Sequence, residues 1–312
     1  MRIRKAFAAG LLALTPALTG CLTRTHTVLK THPPDVVLNA TLDDLLQQVD
    51  TRYKAINTAT LTVAVTASTG GSLQGKVTQY TSFSAYIVLS QPENIRFIGL
   101  LPIAHSAMID MVSDGKTFKV VIPHPGCAII GSDVSEPSQK GLYSLRPEVI
   151  LDSLLIPGIR NAQVVSMTQD SRVVPNPEKR KDYIQEPDYD IEFLSQPQGL
   201  VASTLRVLHI SRVNLLPYRQ DAYNAEGKVA TQAMYSNYQK FGDIQFPTKI
   251  VIERPLDELS LALTVTKASF NKTLPEDQFK LEIPERLPVQ NMDDPVSAKS
   301  NPCVSHAPPP QH

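Results

Sequence analysis

Between residues 41 and 56 apolar side chains recur every three to four positions, as Leu42, Leu45, Leu46, Val49, Tyr53 and Ile56, with Asp, Gln, Arg and Lys between them. That period predicts an amphipathic helix. Thr41 and Asp44 stand at capping-box spacing, and Asp43 adds favourable charge at the positive end of the helix dipole. From Ala59 the period changes to two. Leu61, Val63 and Val65 alternate with Thr60, Thr62, Ala64 and Thr66, the pattern of a half-buried strand. Gly70-Gly71 supplies a turn before a returning strand over 73–80. Further strands are expected over 83–90, ended by Gln91-Pro92-Glu93-Asn94, and over 95–101 and 107–112. Asp114-Gly115 is a hairpin signal, and the strand 118–122 follows it.

Residues 123–143 are rich in Pro, Gly and Ser and read as a loop. Pro147 then opens a second, short helix carrying Val149, Ile150, Leu154 and Leu155, stopped at Pro157-Gly158. Strands are expected over 162–174 and 188–194, flanking a charged, Pro-rich insertion at 175–187. Those over 205–213, 217–223, 229–238, 246–253 and 259–268 complete the set. After Pro284 the chain turns polar and Pro-rich, which predicts a disordered tail over 285–312. About a dozen strands and only two helices exclude repeated parallel βαβ winding. The fold class expected is mainly β (α+β), a curved antiparallel sheet forming an incomplete β-barrel closed by the two helices.

The first residues add a different kind of information. Arg2, Arg4 and Lys5 precede an apolar run from Ala6 to Leu18, too short to span a hydrocarbon core of roughly 30 Å. It ends in Leu18-Thr19-Gly20-Cys21, which resembles the lipobox of bacterial lipoproteins. The resemblance implies a signal peptide over 1–20, diacylglycerol attachment at Cys21, and a tether over 21–40 leading to a folded body at 41–284. Position 22 is Leu rather than Asp. In proteobacterial lipoproteins an acidic residue there marks inner-membrane retention, so the expected destination is the outer membrane, facing the periplasm.

Removing three basic residues with the signal leaves 27 basic against 30 acidic, which offers no basic face for nucleic acid. Of the three cysteines, Cys21 would be acylated, leaving Cys127 and Cys303 either bridged or as two free thiols. A bridge across so long a loop would contribute roughly 4–5 kcal/mol in the chain-entropy account. No zinc-binding helix, nucleophile elbow, Cys-x-x-Cys pair or phosphate loop occurs in the sequence. His105-Ser106 and His124-Pro125-Gly126-Cys127 read as turns. No enzyme activity, metal site or cofactor is expected. The stretch Ile98-Gly99-Leu100-Leu101-Pro102-Ile103 reads either as a buried strand end or as an exposed sticky patch.

The order of elements resembles the LolA/LolB-like superfamily of lipoprotein carriers and outer-membrane receptors. The similarity lies in Phe83–Leu89 followed by Gln91–Arg96, in Ser113–Phe118 with its Asp-Gly turn, and in Tyr235, Tyr238, Phe241 and Phe246-Pro247. It spans roughly 41–284; the 175–187 insertion, the Pro-rich tail and the lipid anchor depart from the soluble carriers. The resemblance implies a half-barrel whose apolar concave face takes the acyl chain of a lipid or lipoprotein. By alternation the lining would be Leu61, Val63, Val65, Phe83, Ile87, Leu89, Phe97, Phe118, Leu261, Leu263 and Val265. The same pattern would produce a dry, filled core in a protein that works through protein partners.

Overall fold

The computed structural model describes residues 25–124, 126–132, 146–159, 163–176, 178–179, 181–294 and 296–297. The chain divides into two compact units: Met1–Asp35 with Arg172–Glu186, and Val36–Ser171 with Pro187–His312. Cys21 and Cys303, and with them the signal peptide expected over 1–20 and most of the tail expected over 285–312, lie outside the described residues.

The first unit contains β1 (Thr31–His32), which pairs in parallel with Tyr183 and Ile184. An Arg172–Glu186 ion pair at 3.0 Å lies in the same unit. Within the charged, Pro-rich insertion, the Asn176 carboxamide accepts the amide of Glu178 at 2.9 Å, and the Asn176 amide bonds the Asp182 carbonyl, also at 2.9 Å. A charged turn is thus ordered by a local Asx arrangement.

In the second unit α1 (Leu42–Lys54) begins as its sequence predicts: the Thr41 hydroxyl accepts the Asp44 amide at 3.2 Å and the Asp44 carboxylate accepts the Thr41 amide at 3.0 Å. The strands that follow are β2 (Thr58–Gly71), β3 (Lys76–Gln79), β4 (Phe83–Ser90), β5 (Asn94–Leu100), β6 (Ala107–Ser113), β7 (Thr117–Ile122) and β8 (Cys127–Ser132). Helix α2 (Pro147–Leu154) intervenes, with Pro147 in its first turn. Then come β9 (Val164–Pro175), β10 (Tyr183–Leu194), β11 (Thr204–Ser211), β12 (Pro217–Tyr223), β13 (Val229–Phe241), β14 (Ile244–Arg254), β15 (Leu259–Phe270) and β16 (Val289–Asn291).

Among the described residues these make one sixteen-stranded sheet. Its order runs β10-β11-β12-β13-β14-β15-β2-β4-β5-β6-β7-β8-β16, antiparallel throughout except β16 on β8. The sheet is open and curved, with distinct edge strands, and is not closed into a barrel, in keeping with the mainly β, curved antiparallel sheet expected from sequence. Bulges interrupt the register at Phe193/Leu194, His209/Ile210, Ala222/Tyr223, Val265/Lys267 and Gly99/Leu100. Each adds local twist.

Besides β1, which falls in the expected tether, two strands of the second unit fall where none was expected. The apolar run of β8 lies inside a window whose Pro, Gly and Ser content reads as loop. β16 lies in the tail expected to be disordered, and its three residues carry no signal of their own. It is recruited by β8, whose Ala128 amide donates to the Pro288 carbonyl at 2.9 Å, while the Met292 amide donates to Ile130 at 2.8 Å.

The alternation of β2 is realised as read: Leu61, Val63 and Val65 are buried while Thr60 and Thr66 are exposed. Register then sets Leu61 opposite Ile87, Val63 opposite Val265, Val65 opposite Leu263, and Ile87 opposite Phe97. These side chains form the main core together with Ile150, Leu151 and Leu154 of α2. Leu45 and Val49 of α1 pack instead on Tyr189, Ile191, Phe193, Leu208 and Ile210.

Candidate functional site

One end of the β4–β7 region is hollow. A cavity of about 670 Å³ has a floor formed by Phe83, Phe97, Met111 and Leu261, with Met108, Ile109 and Ile122 as walls. Its mouth is formed by Tyr80, Thr81, the 101–104 loop and His124. No Asp, Glu, Lys or Arg side chain lines it. The volume lies inside the range of roughly 300–1,000 Å³ that holds small ligands, and such a lining favours an apolar guest.

Two local features make room for it. The bulge at Gly99/Leu100 sets Gly99 opposite Ile109 and Leu100 opposite Ala107, so Met108 has no partner across the strand and is free to turn into the hollow. Gly99 allows the walls to approach: a Cβ there would lie 2.8 Å from Ile109 Cγ2 and 3.1 Å from Phe83 Cε2. On the opposite face of the same strands, Arg96 donates to both Asp110 carboxylate oxygens at 3.0 and 2.7 Å. The same guanidinium holds the Gln278 carbonyl at 3.1 Å and the Lys280 carbonyl at 3.3 Å. The charged pair therefore fixes the outer surface of β5 and β6 and leaves their inner surface apolar.

Of the eleven residues nominated by alternation, Phe83, Phe97 and Leu261 line this cavity. Leu61, Val63, Val65, Ile87, Leu89, Phe118, Leu263 and Val265 are buried on the same face within the packed core and do not line it. Alternation identifies a face, and it does not tell which part of that face other side chains leave uncovered. The lining residues the sequence reading passed over include Met108, Ile109, Met111 and Ile122. Strand β6 buries only its last three residues, so it gives no clean period of two. The two readings of the 98–103 stretch divide within it: Gly99 is buried, and Ile103 is exposed at the cavity mouth.

Other hollows and clusters have a different chemistry. A groove of about 590 Å³ beside α1 is lined by Asp44, Gln47, Gln48, Arg52, Lys240 and Asp243 among others, and is polar. On the sheet face away from the core, His209 sits between two carboxylates, with Nδ1 at 2.6 Å from Asp190 and Nε2 at 3.4 Å from Asp221. Asp221 also accepts Arg219 at 2.8 and 2.6 Å and Gln232 at 3.0 Å. Burial alone would lower the His209 pKa, but the hydrogen bonds and charges of Asp190 and Asp221 outweigh it and hold it at about 9. Burial alone would raise Asp221, yet His209 and Arg219 bring it down to about 2. With both ring nitrogens engaged by carboxylates, His209 has none left to activate a nucleophile. His105 lies in the 101–106 loop with a positive φ of 51°, and His124 lies in the turn before β8.

Cys127 is buried at the first residue of β8 and is disulfide-bonded. Among the described residues no group of three or more His, Cys, Asp or Glu side chains could hold a metal ion. No helix among them is long and apolar enough to cross a membrane.

No protein-family model matches this chain, and no curated protein matches it in sequence. Solved structures are similar to it at low sequence identity. A LolA superfamily protein from Nitrosomonas europaea is 14% identical, with a TM-score of 0.48 over 78% of this chain and 99% of its own. A DUF1329 family protein from Desulfovibrio piger is 14% identical, with a TM-score of 0.47 over 76% and 95%. An outer membrane lipoprotein-sorting protein domain from Vibrio parahaemolyticus is 9% identical, with a TM-score of 0.45 over 75% and 94%. Likenesses this distant carry no inference about activity, which rests on the site itself.

Proposed function

We propose that this chain is a non-catalytic envelope lipoprotein that holds the acyl chain of a lipid or of an acylated lipoprotein in the cavity floored by Phe83, Phe97, Met111 and Leu261. The role would be lipid or lipoprotein trafficking, or upkeep of the outer membrane. The observation that carries the reading is an uncharged cavity of about 670 Å³ left open beside an otherwise packed core. The N-terminal pattern ending at Cys21 supports an anchor in the outer membrane facing the periplasm, with 21–40 as tether and 41–284 as the working body. The guest would partition by burial of its methylenes, at roughly 25 cal/mol per Å² of apolar surface, and no covalent step is needed.

The test is mass spectrometry of lipid extracted from residues 22–312 purified without detergent. The expected result is a stoichiometric phospholipid, fatty acid or acylated peptide, reduced when Ile109→Trp fills the wall. The second reading, a protein acting through partners, is favoured by the eight nominated residues that pack solidly beside the cavity. A stable chain that carries no lipid, and takes up none from vesicles, would leave that second reading in place.

A further inference from the structure

One face of α1 and the tip of the β13–β14 hairpin enclose the polar groove of about 590 Å³. Asp44, Gln47, Gln48, Thr51 and Arg52 line it from the helix, at the three- and four-residue spacing of a single face. Lys240, Asp243 and Gln245 line it from the hairpin. The Arg52 guanidinium reaches across, and its Nη1 donates to Gln245 Oε1 at 3.2 Å. Beside that pair lies a second, small hollow of about 50 Å³, walled by Val49 and Ile56 of α1, by Leu154 and Ile156, and by Tyr238 and Phe246. Arg52 and Gln245 line both hollows, so the two meet at this bond. Apart from Arg52, no charged side chain lines the small one.

Arg52 differs from the other partly buried arginines. Arg96, Arg219 and Arg254 each hold a carboxylate, of Asp110, Asp221 and Asp257. Arg52 is half-buried too, yet among the described residues the one hydrogen bond of its guanidinium goes to a neutral carboxamide. Of the two carboxylates in the groove, Asp44 is committed to the helix cap at Thr41, and neither it nor Asp243 forms an ion pair with Arg52. The nearby Tyr238 supplies no negative charge. Burial pushes its phenol up, and its hydroxyl donates to the Pro217 carbonyl at 2.8 Å. The outcome has opposite signs: carboxylates raise the Arg96 and Arg219 pKa values, whereas burial lowers that of Arg52. A cation drawn out of water without a counter-charge is unfavourable until an anion meets it.

We infer that Arg52 anchors a site for an aliphatic carboxylate with a polar amide body, the chemistry shared by the C-terminus of a short peptide and a free aliphatic amino acid. With Nη1 on Gln245, Nη2 and Nε remain for the two oxygens of a planar carboxylate. The aliphatic group on the adjoining carbon would fill the small hollow, which is too small for a lipid tail. The amide body would lie along the groove, where Asn39, Gln47 and Gln48 offer carboxamide donors and acceptors. Inorganic phosphate has no apolar part for the hollow and fits less well. The site shares no lining residue with the acyl cavity, so each can fail without the other.

Ligand-observed saturation-transfer NMR on the full-length chain would compare N-acetylalanylvaline, free valine and the neutral N-acetylalanylvalinamide, with inorganic phosphate as competitor. The expected result is saturable binding of N-acetylalanylvaline, at least about tenfold tighter than the amide, which lacks the charge-assisted pair. Arg52→Gln should weaken binding by a similar factor. Arg52→Lys, which keeps the charge, should weaken it less, and Lys228→Gln, on the remote 224–228 turn, should leave it unchanged. Tighter binding of the dipeptide than of valine assigns a peptide end, and equal binding assigns a free amino acid. Equal binding of the acid and the amide to the parent chain would overturn the inference, as would an Arg52→Gln chain that binds like the parent. So would displacement of the dipeptide by phosphate at matching concentrations, or a lack of saturation up to roughly 50 mM.

Discussion

Replacing His209 by Asn removes the one titration the fold perturbs most clearly toward the charged state, while keeping an amide donor near Asp190. The imidazole pKa rises from its ordinary 6.5 to about 9 in the folded chain, because two carboxylates outweigh the cost of burial. At about 1.4 kcal/mol per pKa unit, the charged ring contributes about 3 kcal/mol to stability. The side chain is only 15% exposed, so solvent screening takes little from that figure. The lowered pKa of Asp221 belongs to the same interaction, shared with Arg219, and adds nothing separate. A raised pKa means that the folded state binds the extra proton. The contribution is therefore complete below pH 6.5 and disappears as pH rises through about 9. Urea unfolding of both proteins from pH 6 to pH 10 tests this. The variant should be weaker by about 3 kcal/mol at pH 6 and nearly equal to the parent at pH 10. A gap that stays constant across the range would show that His209 acts through packing alone, and would refute the reasoning.

Four further outcomes are expected. Leu263→Arg places an unpaired charge on a fully buried position away from the cavity, and should abolish cooperative unfolding through a loss of several kcal/mol. Ile109→Trp at the cavity wall should leave the circular dichroism melt within a few degrees of the parent and lower the amount of bound lipid. Cys127→Ser should reduce stability by about 2–5 kcal/mol, with peptide mapping under non-reducing conditions of the parent recovering Cys127 linked to Cys303. Arg96→Ala should cost about 2 kcal/mol in urea unfolding, because Asp110 and the carbonyls of Gln278 and Lys280 all lose their donor.

How much of this protein its sequence determines can be read element by element. Helix α1 was legible to its cap, because the signal is local: Thr41, Asp44 and a 3.6-residue period lie within sixteen positions. The buried face of β2 and its neighbours was legible for the same reason, since a period of two assigns faces before any partner is known. The turn at Asp114-Gly115 was carried by its own side chain, whose carboxylate accepts the amides of Lys116 and Thr117 at 2.9 and 2.8 Å. β16 was not legible, because its three residues acquire strand geometry only by lying against β8. Neither was the His209 cluster, whose members come from four strands and stand beside one another through register.

The cavity belongs to this second kind. Phe83, Phe97 and Leu261 look no different in sequence from Leu61, Val65 and Leu263: each is an apolar residue on an inward face. What separates them is where α2 and the surrounding core end, and how a bulge at Gly99 leaves Met108 without a cross-strand partner and Gly99 without a side chain lets Ile109 and Phe83 close in on its backbone. Local periodicity determines which way a side chain points. Whether anything lies in front of it is decided by residues far away in the chain, through strand order, bulges and the reach of two short helices, and for that the tertiary structure is required.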